Sequence, residues 1–373
     1  MERYSDPDRI FSYEYRAVSR SLFDRVFRYW LNYFFRFVPP TMSANLLSMI
    51  GNVGSWLALS LMIGFGASDG SHYRLVFLVA ALGVLFYHTA DNLDGRQARR
   101  LGASGPLGEF VDHWFDSFNV FFFPLGTVAA FPVVPVPWSL AIILLAGLAD
   151  WSTLRVVCKT NEMYFGPVST DEGIFVYWAF LFSIPFVGYP FWATVHPVLG
   201  FPPVYALIIL IIFNFCYVII SNLIKYKGMG GLSLLVEALV VSPILLWVYV
   251  SLPVFGRQVT LIPALLLLGF TCSRHVGDLL RARLVGLEYA GLYPDMILCS
   301  LFLLAVSLVH RFVVQLPPWL LLLPLVVYMV NTLQALVLQF VRTTRRVYDC
   351  LGITLFGCSP GEKVVVAERF PIK

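Results

Sequence analysis

Residues 75–131 read LVFLVAALGVLFYHTADNLDGRQARRLGASGPLGEFVDHWFDSFNVFFFPLGTVAAF. Two strongly apolar runs flank a polar centre that carries four aspartates in two pairs. Asp91 and Asp94 are spaced i,i+3, and Asp112 and Asp116 are spaced i,i+4, so each pair falls on one face of a helix. Both pairs sit at the ends of apolar segments, where ionisable side chains are costly and mark function. Two facing carboxylate pairs are what a two-metal site needs. Mg²⁺ and Mn²⁺ take oxygen ligands, and two such ions about 3.5–4 Å apart clamp the attacking and leaving oxygens of a phosphoryl transfer. Gly95 and Gly108 remove side chains beside the acids and let a bulky substrate approach the backbone. The plainer reading is a set of solvated helix-end acids balancing Arg96, Arg99 and Arg100.

The apolar character of the two flanking runs extends along the whole chain, which is 58% hydrophobic and only 13% charged. Soluble domains run near 25% charged, so a polytopic membrane protein is expected. Runs of about 20 apolar residues span a bilayer core. Ten such runs are legible, at roughly 46–66, 74–90, 110–131, 138–157, 173–195, 203–223, 231–253, 259–275, 293–314 and 317–341. The expected fold is all-α: a single membrane domain over 1–373, with a cytosolic segment 1–45, a transmembrane bundle 46–341 and a cytosolic tail 342–373.

Charge supplies an orientation. Of the 26 Lys and Arg residues, 23 fall in the termini and the even-numbered loops between runs, and only Arg74, Arg257 and Arg311 fall in the odd-numbered ones. The positive-inside rule then puts both termini and the aspartates on the cytosolic side. The net charge of +4 is accounted for by anionic lipid head groups and calls for no nucleic acid. Residues 21–38 read as an amphipathic helix, either lying in the membrane interface or packing before the first span. The six cysteines, Cys158, Cys216, Cys272, Cys299, Cys350 and Cys358, have no metal-ligand spacing and read as packing residues. Arg274, His275 and Asp278 end an apolar run and read as a solvated helix terminus.

The spacing Asp91-x-x-Asp94-Gly95-x-x-Ala98-Arg99, eight residues to Gly108, then x-x-x-Asp112-x-x-x-Asp116 matches the signature of the CDP-alcohol phosphotransferases at every fixed position. The text DNLDGRQARRLGASGPLGEFVDHWFD and the N-terminal YEYRAVSRSLFDR…VPPTMSANLLSMIG resemble the eukaryotic choline/ethanolamine phosphotransferase branch. The similarity is dense to about residue 130 and patchy beyond.

This resemblance implies that Asp91, Asp94 and Asp112 are metal ligands, and that Asp116 is a ligand or the base for the acceptor alcohol. It implies that Arg99 holds substrate phosphates, as arginine suits phosphate oxygens, and that Gly95, Ala98 and Gly108 line the nucleotide cleft. It gives His113 the role of activating the acceptor hydroxyl, for which a neutral imidazole is suited. Glu172, in the loop FGPVSTDEGIF, would assist it, with Asp171 as its rival. Asn45 matches a family Asn near the phosphates, or else caps its helix. Trp114 departs from the pattern, since the branch usually has Gly directly after the His; this bears on substrate identity.

The activity implied is transfer of phosphoethanolamine or phosphocholine from CDP-ethanolamine or CDP-choline to diacylglycerol or alkyl-acylglycerol. It would use two Mg²⁺ or Mn²⁺ ions, in a homodimer of the endoplasmic reticulum or Golgi with its site facing the cytosol. A CDP-diacylglycerol-consuming synthase of the same superfamily, of the phosphatidylinositol type, is an alternative. A transporter is the alternative from another class; acids clustered at one face rather than in a line across the membrane count against it.

Overall fold

The computed structural model describes residues 6–14, 17–19, 24–66, 72–165, 170–225, 231–289, 291 and 293–357. Part of the expected amphipathic segment (21–23), part of the loop before Asp171 (166–169), and the tail from 358 on, with Cys358, lie outside the described residues. The helices are α1 (Asp24–Phe35), α2 (Ala44–Phe65), α3 (Tyr73–Leu101), α4 (Pro106–Ala130), α5 (Val136–Thr160), α6 (Thr170–Val187), α7 (Tyr189–Ala193), α8 (Val204–Lys225), α9 (Gly231–Val285), α10 (Pro294–Phe312) and α11 (Pro318–Leu351). Two three-residue strands, β1 (Ala17–Ser19) and β2 (Met163–Phe165), pair in parallel and are the sheet structure among the described residues.

The ten apolar runs fall on helices; the fifth is divided between α6 and α7 at Gly188, and the seventh and eighth lie on the two halves of α9, which is interrupted where Gly256 takes φ 76°. Among the described residues seven helices are long and apolar enough to cross a membrane, and the chain is an all-α polytopic membrane protein. α4 and α6 are not among the seven. α4 carries Glu109, Asp112 and Asp116 in its first half, and α6 is only 18 residues long.

Local sequence sets the elements that carry the acids. The Ser43 hydroxyl accepts from the Leu46 amide at 3.2 Å and caps α2, satisfying an amide that has no partner within the helix. α3 stops where Gly102 adopts a left-handed φ of 62°, and Pro106 begins α4 four residues later. This short turn sends α4 back antiparallel to α3.

α2 and α3 approach closely because both are glycine there. A Cβ on Gly54 would lie 2.5 Å from the Gly83 carbonyl oxygen, and one on Gly83 would lie 2.5 Å from that of Gly54. α2 also packs on α4, whereas α3 and α4 touch each other little, so a cleft separates them.

The second half of the chain buttresses this group. α9 packs on α4 and α5, and α10 and α11 pack on α9. Phe110, Trp114, Phe118, Phe121 and Phe122 line the outer face of α4, and their rings meet Phe270 and Phe340.

The N-terminal segment ties the start of α4 to the end of α9. Tyr13 Oη donates to Glu109 Oε2 at 2.7 Å, and Glu109 pairs with Arg283, both side chains only 3% exposed. Arg9 Nε donates to the Arg283 carbonyl at 3.2 Å, and the Asp6 amide to the Gly286 carbonyl at 3.2 Å. α1 lies over α2 and α3, with Leu31 and Val38 buried against Leu47, Ala90 and Leu93, while Tyr29, Tyr33 and Phe37 face outward.

One expectation is corrected. Arg274, His275 and Asp278 do not form a solvated terminus; α9 continues ten residues beyond His275, and all three are buried.

Candidate active site

α3 and α4 bring the four aspartates together across the cleft. Ligand atoms of Asp91, Asp94 and Asp112 lie within 4.8 Å of one another, and so do those of Asp112, His113 and Asp116. Asp112 belongs to both groups. Asp94 is buried and the other three aspartates are half-buried. Carboxylates so crowded repel one another, and a divalent cation among them removes that repulsion. The donor set is hard oxygen throughout apart from the His113 imidazole, which fits Mg²⁺ or Mn²⁺.

Neighbouring side chains orient the acids. Ser48 Oγ on α2 donates to Asp94, and Tyr87 Oη on α3 donates to Asp116 Oδ1 at 2.6 Å across the cleft. Beneath them Asn119 Nδ2 donates to Asn52 Oδ1 at 2.7 Å and Ser55 Oγ donates to Asn119 Oδ1 at 2.7 Å. This buried network locks α2 to α4 at the depth of the acids. Asp150 of α5 interacts electrostatically with Asp116. None of these partners was singled out from the sequence. Tyr87 was within reach, because it precedes Asp91 by four residues on the same helix face, and Asp150 stands as a lone acid within an apolar run.

The two motif glycines open toward different groups. A Cβ on Gly95 would sit 3.5 Å from the Arg99 guanidinium, and one on Gly108 would sit 3.7 Å from Asn45 Oδ1. Arg99 is exposed and folds back over Gly95, while Ala98 is half-buried beside it. Arg96 and Arg100 serve the fold: Arg96 Nη1 donates to Asn32 Oδ1 at 2.6 Å, and Arg100 Nη2 to the carbonyls of Val38 and Pro39 at 2.9 and 3.0 Å. Asn45 does not cap α2, since Ser43 does. Its Nδ2 donates to the Leu355 carbonyl at 2.9 Å, so the segment after α11 closes over this end of the cleft.

His113 stands among the acids, and its buried Nε2 has no hydrogen-bond partner among the described residues. Glu172 is buried at the start of α6 and interacts with His88 of α3, one turn before Asp91. Asp171 Oδ1 lies 3.7 Å from His88 Nδ1 and accepts from Asn92 Nδ2 at 3.4 Å. Trp114 turns away from its neighbour His113. Its Nε1 donates to Gln339 Oε1 at 2.9 Å and its ring packs on Phe340, so it anchors α4 to α11.

Fold and site together define a membrane-embedded helical protein with a candidate carboxylate metal centre at the mouth of a cleft. Residues 41–219 match the family described as CDP-alcohol phosphatidyltransferase. It is 29% identical over 192 residues to an uncharacterized CDP-alcohol phosphatidyltransferase class-I family protein 3 of Dictyostelium discoideum, covering 50% of this chain and 47% of that protein. It is 30% identical over 167 residues to the cholinephosphotransferase 1 of Xenopus laevis, covering 43% and 40%. To the cholinephosphotransferase 1 of Danio rerio it is 27% identical over 198 residues, covering 52% and 51%. The chain thus spans about half the length of the curated relatives it matches.

Proposed function

We propose that this protein transfers the phosphocholine or phosphoethanolamine group of CDP-choline or CDP-ethanolamine to the hydroxyl of diacylglycerol or alkyl-acylglycerol. The products are the corresponding phospholipid and CMP. The observation that carries the reading is the convergence of Asp91, Asp94, Asp112 and Asp116 on one cleft with His113 among them. The relatives named cholinephosphotransferase 1 support the choice of reaction.

Asp91, Asp94, Asp112 and Asp116 would hold two divalent ions, Mg²⁺ or Mn²⁺, whose charge neutralises the donor pyrophosphate and the departing phosphate. The exposed Arg99, folded over Gly95, binds the donor phosphates. Gly95, Ala98 and Gly108 leave the backbone open to the nucleotide, with Asn45 at its edge. The acceptor hydroxyl loses its proton to His113 Nε2 as its oxygen attacks the β-phosphorus. The bond from that phosphorus to the bridging oxygen breaks, and CMP leaves. Glu172 takes the assisting role beside His113. Asp116, oriented by Tyr87, is the alternative base.

A site at the cytosolic membrane face of the endoplasmic reticulum or Golgi suits a water-soluble donor and a lipid acceptor entering between helices. A homodimer is the proposed assembly.

Assay of purified protein with CDP-choline and CDP-ethanolamine side by side, with diacylglycerol and Mg²⁺ or Mn²⁺, tests the reading. Phospholipid and CMP should form in equal amounts, and excess chelator should abolish both. Absence of product from either donor, or full turnover in chelator, overturns it.

A further inference from the structure

A second polar cavity, of about 620 Å³, lies where α9, α10 and α11 meet, outside the carboxylate cleft. Its inner wall is Arg274, Asp278 and Arg281, each 7% exposed. The Arg274 guanidinium makes two hydrogen bonds to the Asp295 carboxylate, at 2.7 and 3.1 Å, and lies 4.5 Å from the Tyr293 ring centre. Arg281 Nη1 donates to Asp278 Oδ1 at 3.1 Å, and Gln339 Nε2 donates to the same oxygen at 2.8 Å. Glu288 and Arg342, both exposed, complete the charged lining at the rim.

This wall is poorly explained as scaffolding. Burying ion pairs returns little net stability, because desolvation offsets their attraction. A bundle that needed only packing would have filled such a volume with apolar side chains. Ionisable groups at this depth in a membrane protein face ligands or water-filled paths.

The lining also selects a ligand class. Among the described residues three arginines (Arg274, Arg281, Arg342) stand against three acids (Asp278, Glu288, Asp295), so this lining is balanced rather than basic or acidic. A lone anion or cation would have to displace one member of a pair. A ligand with a phosphate and an ammonium a few ångströms apart meets both signs at once, with Tyr293 offering its ring to the cation.

The volume lies within the range of small-molecule sites, about 300–1,000 Å³. At the rim the polar lining gives way to Ala335 and Leu338, and α11 presents Val337, Leu338 and Val341 outward beside them. Acyl chains could lie along that face while the head group enters. We propose that this cavity binds the head group of a zwitterionic phospholipid, separately from the carboxylate cleft. The inference does not depend on the proposed reaction.

Native mass spectrometry of the purified full chain tests it, with phosphatidylcholine or phosphatidylethanolamine, the anionic phosphatidylglycerol, and water-soluble glycerophosphocholine as probes. One zwitterionic phospholipid should be retained in preference to phosphatidylglycerol. Arg342→Glu and Leu338→Trp, both at exposed rim positions, should each lower retention by about tenfold or more. Asp112→Ala, in the other site, should leave it unchanged.

Equal retention by wild type and both rim variants overturns the proposal, and the two substitutions together guard against one that merely misfolds. Loss in Asp112→Ala instead assigns the lipid to the carboxylate cleft and also overturns it. So does equal retention of phosphatidylglycerol, which reduces the cavity to an anion site, or failure of excess glycerophosphocholine, which carries the same head group, to compete with the lipid.

Discussion

Asp112 lies in both groups of ligand atoms, so its loss should damage the site more than loss of either Asp91 or Asp94. Metal binding can be read apart from turnover by thermal unfolding. A ligand that binds only the folded state stabilises it by about 2.7 kcal/mol at a hundredfold excess over Kd. Mg²⁺ or Mn²⁺ should therefore raise Tm of the wild type, by less for Asp91→Ala and Asp94→Ala, and not at all for Asp112→Ala. An unchanged shift in Asp112→Ala would remove that residue from the metal centre. The base is tested separately. His113→Ala should lower kcat by about 10²–10⁴-fold with donor binding kept, as expected for loss of a general base. Glu172 interacts electrostatically with His88, and its proposed role is beside His113. A double-mutant cycle of His113→Ala with Glu172→Gln on turnover, and a second of His88→Ala with Glu172→Gln on Tm, separates the two partnerships. Losses that multiply in the first cycle, with coupling only in the second, would make Glu172 a structural residue of α6. If His113→Ala keeps full turnover, Asp116 becomes the base.

Among the elements, the start of α4 depends on contacts far apart in sequence. Glu109 precedes Asp112 by one helical turn, and it is held by Tyr13 and by Arg283. Removing one partner of a buried ion pair costs about 3–5 kcal/mol, because the other charge stays buried and uncompensated. Glu109→Ala should lower Tm sharply, and the double variant Glu109→Ala, Arg283→Met should recover a large part of the loss. A double variant no more stable than Glu109→Ala alone would show that Arg283 matters mainly through its contacts to Asn161 and Glu14. Nothing in the sequence exposed this clamp. Helix periodicity reports which residues share a face, and it says nothing of which distant charges meet. The two aspartate pairs were legible for the converse reason, since i,i+3 and i,i+4 spacing fixes a face before any tertiary contact forms. Arg274, His275 and Asp278 were misread because the apolar run ends there, although the helix continues for ten more residues and other helices cover it.

The molecule as a whole has an apolar exterior, and its sequence assigns most of the basic residues to one side. α8 shows the exterior plainly: Ile209, Leu210, Phe213, Tyr217 and Ile220 all face outward, a surface suited to lipid. The runs on α2, α3, α5, α8, α9, α10 and α11 were readable because a spanning helix must satisfy its backbone hydrogen bonds internally, so length and hydropathy suffice to find it. The separation of the seventh and eighth runs was readable too, and in the structure α9 is interrupted between them where Gly256 leaves the helical conformation. Orientation remains a prediction from charge, with 23 of 26 basic residues assigned to one side. It is checked with single cysteines introduced at Arg36, Arg257 and Arg345 in a background lacking the native six, using sealed microsomes whose cytosolic face is outward. A membrane-impermeant maleimide should label positions 36 and 345 at once and position 257 only after detergent. Placing the aspartates on the cytosolic side depends on the same assignment, because Arg99 and Arg100 stand in the last turn of α3. Labelling of position 257 alone in sealed vesicles would invert the topology. The donor would then have to reach the carboxylates from the lumen, and a cytosolic nucleotide-activated substrate could not be the one this site uses.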